Sequence, residues 1–233
     1  MRHFGLLIPA TNTTCEIELG QLPGLQAHFA RCGRDGPSPF HPSLDADIAY
    51  QSKMLADARV ELIMLIQTSA SLFTDNYDAI TIKRITEASG LPALTSAQAV
   101  GQALHAFGAK RIAFATPYSP EVIGLATRYY ERNYGMTVVA GESLGAADAY
   151  AIGKMDAEMV TSVFKRIDRP DIDVLVVPGG NFPTMHRVAA WEAMFGKPVL
   201  TTNQALLWAV LSAMKIATPI SGKGRLLETM LAV

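Results

Sequence analysis

Residues 174–184 read VLVVPGGNFPT. The apolar run at 174–177 does not alternate with polar residues, which marks a strand buried on both faces, as in a parallel sheet. It stops at Pro178-Gly179-Gly180-Asn181, and a helical pattern opens within about four residues. Strand, tight turn and helix in that order form the unit of open α/β sheets, in which ligands sit outside the carboxyl ends of the strands. Gly179 and Gly180 let backbone N–H groups come close to a bound anion. This stretch points to a site for a small carboxylate; a turn that only joins strand to helix is the competing reading.

The same unit recurs along the chain. Strand patterns fall at residues 3–9, 25–32, 61–66, 92–94, 111–116, 137–140, 173–177 and 198–200. Helical patterns fall at 12–22, 43–58, 75–89, 96–107, 121–133, 156–166, 184–195 and 203–214, with Ser43 and Asp75 as expected N-caps. Residues 31–42 form a loop rich in Gly and Pro. Alternating strands and helices imply parallel sheets with right-handed crossovers.

The pattern also repeats on a larger scale. GLPALTSAQAV at 90–100 returns as GKPVLTTNQAL at 196–206, with Gly, Pro, Leu, Thr, Gln and Ala in register. Residues 62–69, LIMLIQTS, likewise parallel 174–181, VLVVPGGN. An internal duplication accounts for both, giving α/β halves at 1–108 and 109–233, each built on a four-stranded parallel sheet flanked by helices. Terminal segments that cross between the halves fit this division. Facing halves place the strand-end loops 9–14, 67–74, 116–120 and 179–184 in one cleft.

Composition narrows the function. The chain has 233 residues, 49% of them hydrophobic and 18% charged, which describes a globular protein with ample core. A net charge of −1 gives no electrostatic footprint for nucleic acid or an anionic membrane, so a small molecule is the expected partner, with a homo-oligomer as the expected assembly. No apolar run reaches the roughly 18 residues needed to cross a bilayer. The N-terminus enters a strand pattern without a signal-like segment, and a cytoplasmic location is the expectation. Two cysteines, Cys15 and Cys32, and five scattered histidines offer no metal-ligand spacing, so neither metal nor cofactor is expected.

The cleft loops are rich in hydroxyl and amide groups: Thr11, Asn12, Thr13 and Thr14; Gln67, Thr68, Ser69 and Ser71; Thr116, Tyr118 and Ser119; and Gly179, Gly180 and Asn181. None of these loops carries Lys or Arg in the cleft set. Converging neutral donors can hold a carboxylate without a cation, and they leave charge free to develop on the substrate. Helix capping is the competing role for Asn12 and Thr13.

Pro9-Ala-Thr-Asn-Thr-Thr-Cys-Glu resembles the first loop of maleate cis-trans isomerases. Leu94-Thr-Ser-Ala-Gln-Ala and Ala109-Lys-Arg-Ile-Ala-Phe-Ala-Thr-Pro-Tyr resemble their middle. The wider group is the aspartate/glutamate racemase superfamily, which includes arylmalonate decarboxylase. The resemblance implies two pseudo-twofold-related flavodoxin-like halves with the active site between them. It implies binding of a substrate carboxylate by Asn12, Thr68, Ser69 and Tyr118 together with backbone N–H groups near Gly179 and Gly180. It also places the two family cysteines on Gln67 and Gly179, so the usual two-cysteine mechanism is not available.

Four residues are candidates for the chemistry that thiols would otherwise supply. Tyr118 is a proton donor beside an enolate. Gln67, with Thr68 and Asn181, can hold a water where Gly179 leaves room for one. Cys15 lies about one helical turn from Asn12. His186 falls just after the glycine turn, and either reaches the cleft or lies on a solvated helix face; His41 is a possible lid residue with similar alternatives. The expected function is a cofactor-independent enzyme acting on a small mono- or dicarboxylate through an enolate-like or oxyanion intermediate. A hydrolase or lyase using water at Gly179 and a non-catalytic carboxylate-binding protein are the alternatives.

Overall fold

In a computed structural model, which describes residues 1–20, 22–34 and 40–230, the chain forms two four-stranded parallel sheets flanked by helices. The first half runs β1 (Arg2–Pro9), α1 (Cys15–Leu19), β2 (Leu25–Cys32), α2 (Asp45–Asp57), β3 (Ile63–Leu65), α3 (Ala70–Phe73), α4 (Tyr77–Ser89), β4 (Ala93–Thr95) and α5 (Ser96–Ala106). The second runs β5 (Arg111–Thr116), α6 (Pro120–Tyr134), β6 (Thr137–Ser143), α7 (Glu158–Ile167), β7 (Val174–Val177), α8 (Val188–Phe195), β8 (Val199–Thr201), α9 (Thr202–Ala213) and α10 (Arg225–Thr229). The sheet orders β2-β1-β3-β4 and β6-β5-β7-β8 correspond strand for strand.

The repeated motif shows why the halves match. Gly90 and Gly196 end α4 and α8 in the left-handed conformation, at φ 73° and 70°. Five residues later Thr95 and Thr201 cap α5 and α9, each closing a capping box with the Gln three residues on, Gln98 or Gln204. The shared Gly, Thr and Gln are thus helix stop and start signals around a short buried strand.

Strands that read as continuous apolar runs are buried on both faces. In β1, Phe4, Leu6 and Ile8 join a core that extends through both halves, while Leu7 packs with Ile48, Leu55 and Ile85 beneath α2 and α4. In β3, Met64 faces the shared core, and Ile63 and Leu65 face the other side. Helices α5 and α9 pack against each other between the sheets.

Some expectations need correction. The helix read at 12–22 is only Cys15–Leu19, because Asn12 Oδ1 accepts the N–H groups of Thr14 and Cys15 and holds the preceding turn. Ser43 does not cap α2, whose N-cap position is Leu44; its N–H and hydroxyl both donate to Gln67 Oε1 at 2.8 Å. Asp75 does not cap α4, and instead pairs with Arg132 at 2.7 Å. The helix read at 184–195 opens as a 3-10 turn, Met185–Arg187, before α8. Residues 35–39 of the Gly/Pro-rich loop lie outside the described residues.

Among the described residues, no helix is long and apolar enough to cross a membrane. Nor does any group of His, Cys, Asp and Glu suited to a metal ion occur among them.

Candidate active site

The loops at the carboxyl ends of the central strands enclose a cavity of about 40 Å³ between the halves. Pro9, Thr11 and Asn12 reach it from the end of β1, Ile66, Gln67, Thr68 and Ser69 from β3, Tyr118 from β5, and Gly180 and Asn181 from β7. Ile152 and Ala149, before α7, add an apolar side. At roughly 10–15 Å³ of such space per water, the volume suits a carboxylate group or a few waters.

Two residues from the segment after β2 also line the cavity: Arg34 and Phe40. The cleft is therefore not cation-free, contrary to the expectation from its loops. Arg34 went unread because it sits in the Gly/Pro-rich segment, whose path no periodicity dictates. An antiparallel bridge between Arg34 and Ser43 folds the ends of that segment together over the site.

The first-half wall is built around the turn after β3. Thr68 Oγ1 shares a hydrogen bond of 2.9 Å with Ser96 Oγ, and Ser69 Oγ donates to Phe40 O at 3.3 Å. The Gln67 amide is engaged on both sides: Oε1 accepts from Ser43, and Nε2 donates one hydrogen to His41 O at 2.6 Å. Gln67 thus faces the cavity and also latches the 40–43 strap.

The second-half wall is organised by Asn181. Its Oδ1 accepts the Thr13 N–H at 2.7 Å, its Nδ2 donates to Ala149 O at 2.7 Å, and its carbonyl accepts the Thr14 hydroxyl at 2.7 Å. Thr13 thus bridges the halves through its N–H; the turn before α1 is held instead by Asn12, whose Nδ2 also donates to Gly180 O at 3.2 Å. Among the described residues, no acceptor lies against the backbone N–H groups of Thr68, Ser69, Gly180 or Asn181, all at the cavity.

Gly179 is placed differently from the expectation. It does not line the cavity, and its N–H donates to Thr202 Oγ1 at 2.9 Å. Its φ is 132°, and a Cβ there would meet Pro117 Cγ at 3.2 Å and Phe182 Cβ at 3.6 Å. A side chain at this position would be strained, chiefly by that backbone conformation.

Tyr118 is buried against the Phe40 ring, 5.2 Å away edge to face. Burial pushes its phenol pKa above the ordinary value. Cys15 is fully buried and does not line the cavity, which keeps its thiol away from a molecule bound there; burial likewise pushes its pKa well up. His186 is exposed on the 3-10 turn, outside the cavity, with its pKa lowered chiefly by desolvation and then by Arg187. His41 turns its ring toward Phe73, in a neighbouring groove. Of all these candidates for proton transfer, only Tyr118 and Gln67 border the cavity.

Residues 39–227 match the family model for arylmalonate decarboxylase. Over 97% of each chain, the sequence is 29% identical to a maleate isomerase of Pseudomonas putida. It is 28% identical to an arylmalonate decarboxylase of Bordetella bronchiseptica, over 78% of this chain and 77% of that one. The fold is similar to that of a maleate isomerase from Pseudomonas putida S16 solved with maleate, at a TM-score of 0.89 and 25% identity, covering 97% of both chains.

Proposed function

Given that the chain belongs to the arylmalonate decarboxylase family, we propose that it is an enzyme that removes CO2 from a small malonate-type dicarboxylate through an enediolate. The observation that carries this reading is the make-up of the cavity. Among the described residues that line it, Tyr118 and Arg34 are the only titratable side chains, and there is no thiol, imidazole, amine or carboxylate. Isomerisation by addition to a double bond needs a nucleophile. Decarboxylation needs only a place for negative charge and a source of one proton.

The wall supplies the first. One substrate carboxylate lies against Thr68, Ser69 and the N–H groups of Gly180 and Asn181, with the Arg34 guanidinium in the same cavity. Donors fixed before the reaction stabilise charge as it develops in the transition state. The other carboxylate faces the apolar side formed by Pro9, Ile66 and Ile152, where loss of hydration favours its departure as CO2. The C–C bond breaks, its electron pair becomes the enediolate, and the α-carbon takes a proton from the Tyr118 hydroxyl or from a water beside it. Both oxygens of the retained carboxylate stay on it, so no solvent oxygen enters the product.

The test is turnover of alkyl- and arylmalonates, followed by CO2 release. Tyr118→Phe is expected to lower kcat about 10²–10⁴-fold, the range for a positioned general acid. Thr68→Ala should lower it about 10²–10³-fold, as for one oxyanion donor. Undiminished turnover in both variants would remove the site assignment, and oxygen-18 entering the product from water would replace decarboxylation by hydrolysis.

A further inference from the structure

We propose that Cys15, Asn203 and Glu18 are positioning residues that fix the Gly180–Asn181 peptide with its N–H turned into the cavity, a step that rests on the carboxylate-binding reading above. The Gly180 carbonyl is the convergence point. It accepts from Cys15 Sγ at 3.0 Å, Asn203 Nδ2 at 3.1 Å and Asn12 Nδ2 at 3.2 Å. Cys15 opens α1 and Asn203 lies in the first turn of α9; both are buried, and neither lines the cavity. Glu18, about one turn along α1 from Cys15, accepts from Asn203 Nδ2 at 2.7 Å and from the Met185 N–H at 2.8 Å. Both amide hydrogens of Asn203 therefore have acceptors, which fixes the plane of that side chain.

The consequence follows from peptide geometry. Among the described residues no peptide bond is cis, and in a trans peptide C=O and N–H point in opposite directions. With the Gly180 oxygen drawn down onto α1 and α9, the Asn181 N–H is directed the other way, toward the cavity that both residues line. A Cβ on Gly180 would collide with Ile66 Cγ2, so only glycine lets this peptide sit against the first-half wall. Reversing the peptide would present oxygen lone pairs to an anion and leave three buried donors without their acceptor. A deeply buried thiol thus has a use that requires no reactivity: Cys15 is a hydrogen-bond donor on the far side of the site.

The full chain, labelled with nitrogen-15 and titrated with malonate, tests this. In the unaltered protein the Asn181 amide proton is expected to move downfield and to saturate together with those of Thr68 and Ser69. Cys15→Ala and Asn203→Leu should weaken malonate binding about tenfold each, the effect of one lost donor, and diminish the Asn181 shift while those of Thr68 and Ser69 persist. Cys15→Ser keeps a donor and should restore the Asn181 shift. Cys32→Ala, which removes an equally buried thiol elsewhere, should leave it intact. Equal affinity and an equal Asn181 shift in Cys15→Ala and Asn203→Leu would overturn the proposal. So would malonate that moves Thr68 and Ser69 but not Asn181 in the unaltered protein, a result that needs no variant to fold. Malonate that moves none of the three would instead refute the carboxylate-binding reading itself, and the proposal with it.

Discussion

At the scale of single residues, Tyr118 makes the sharpest prediction, because its environment sets its charge. Burial holds the phenol above its ordinary pKa, so the protonated, donating form persists through neutral and mildly alkaline pH. Turnover that depends on Tyr118 as acid should show no alkaline decline below about pH 10. A thiol mechanism would titrate near pH 8.5 instead. Both thiols are buried, and that of Cys32 is pushed up to about 12, so iodoacetamide should leave the folded enzyme active and both cysteines unmodified by mass spectrometry. Rapid inactivation with label on Cys15 would contradict this placement. The residue types at Thr68, Ser69, Tyr118 and Asn181 were legible, because hydroxyl and amide groups at strand ends announce a polar cleft. Depth was not: the spacing of Asn12 and Cys15 brings them together at the start of α1, but says nothing of the α9 residue Asn203 beside them.

At the scale of elements, the strap at residues 40–43 brings Phe40 against the site. Gln67 holds it from below through Ser43 and His41, and Ser69 reaches Phe40 O. The Phe40 ring then closes on Tyr118. Gln67→Ala removes the bonds to Ser43 and His41 without touching a cap or a strand. It should speed hydrogen exchange in residues 41–44, and by loosening the strap beside Phe40 should lower the KM for bulky malonates relative to small ones. Exchange and substrate preference that match the unaltered protein would show that the strap is held by other contacts. This closure could not be read from sequence, because it depends on a glutamine at one strand end meeting backbone groups some 25 residues earlier in the chain. The opposite holds for α5 and α9, whose repeated Thr and Gln carry the capping box within four residues, so that local sequence sets their starts.

At the scale of the molecule, the interface that builds the cavity between the two halves is also core. Phe4, Leu6 and Ile8 of the first sheet share a cluster with Phe114, Val176 and Leu200 of the second. Asp78 on α4 joins the halves again, accepting from Ser71 Oγ and Thr95 Oγ1 at 2.6 Å and from the Tyr129 hydroxyl on α6. Gly101 is a tight point of this seam. It lies inside α5, where alanine is ordinarily better by about 1 kcal/mol, yet a Cβ there would fall within the Tyr134 ring at the end of α6. Two effects oppose each other, and their sizes decide the outcome. Overpacking a dense core costs about 1–3 kcal/mol, more than the gain in helix propensity. Gly101→Ala should therefore lower the unfolding midpoint, and Tyr134→Ala in the same chain should recover part of that loss by opening the space the methyl needs. Because the seam runs through a continuous core, both halves should unfold in one transition, with fluorescence of Trp191 and Trp208 in the second half coinciding with far-UV circular dichroism of the whole chain. A stabilised Gly101→Ala protein, or a second-half transition separate from that of the whole chain, would mean that the halves meet loosely and that the cavity between them is free to open as a hinge.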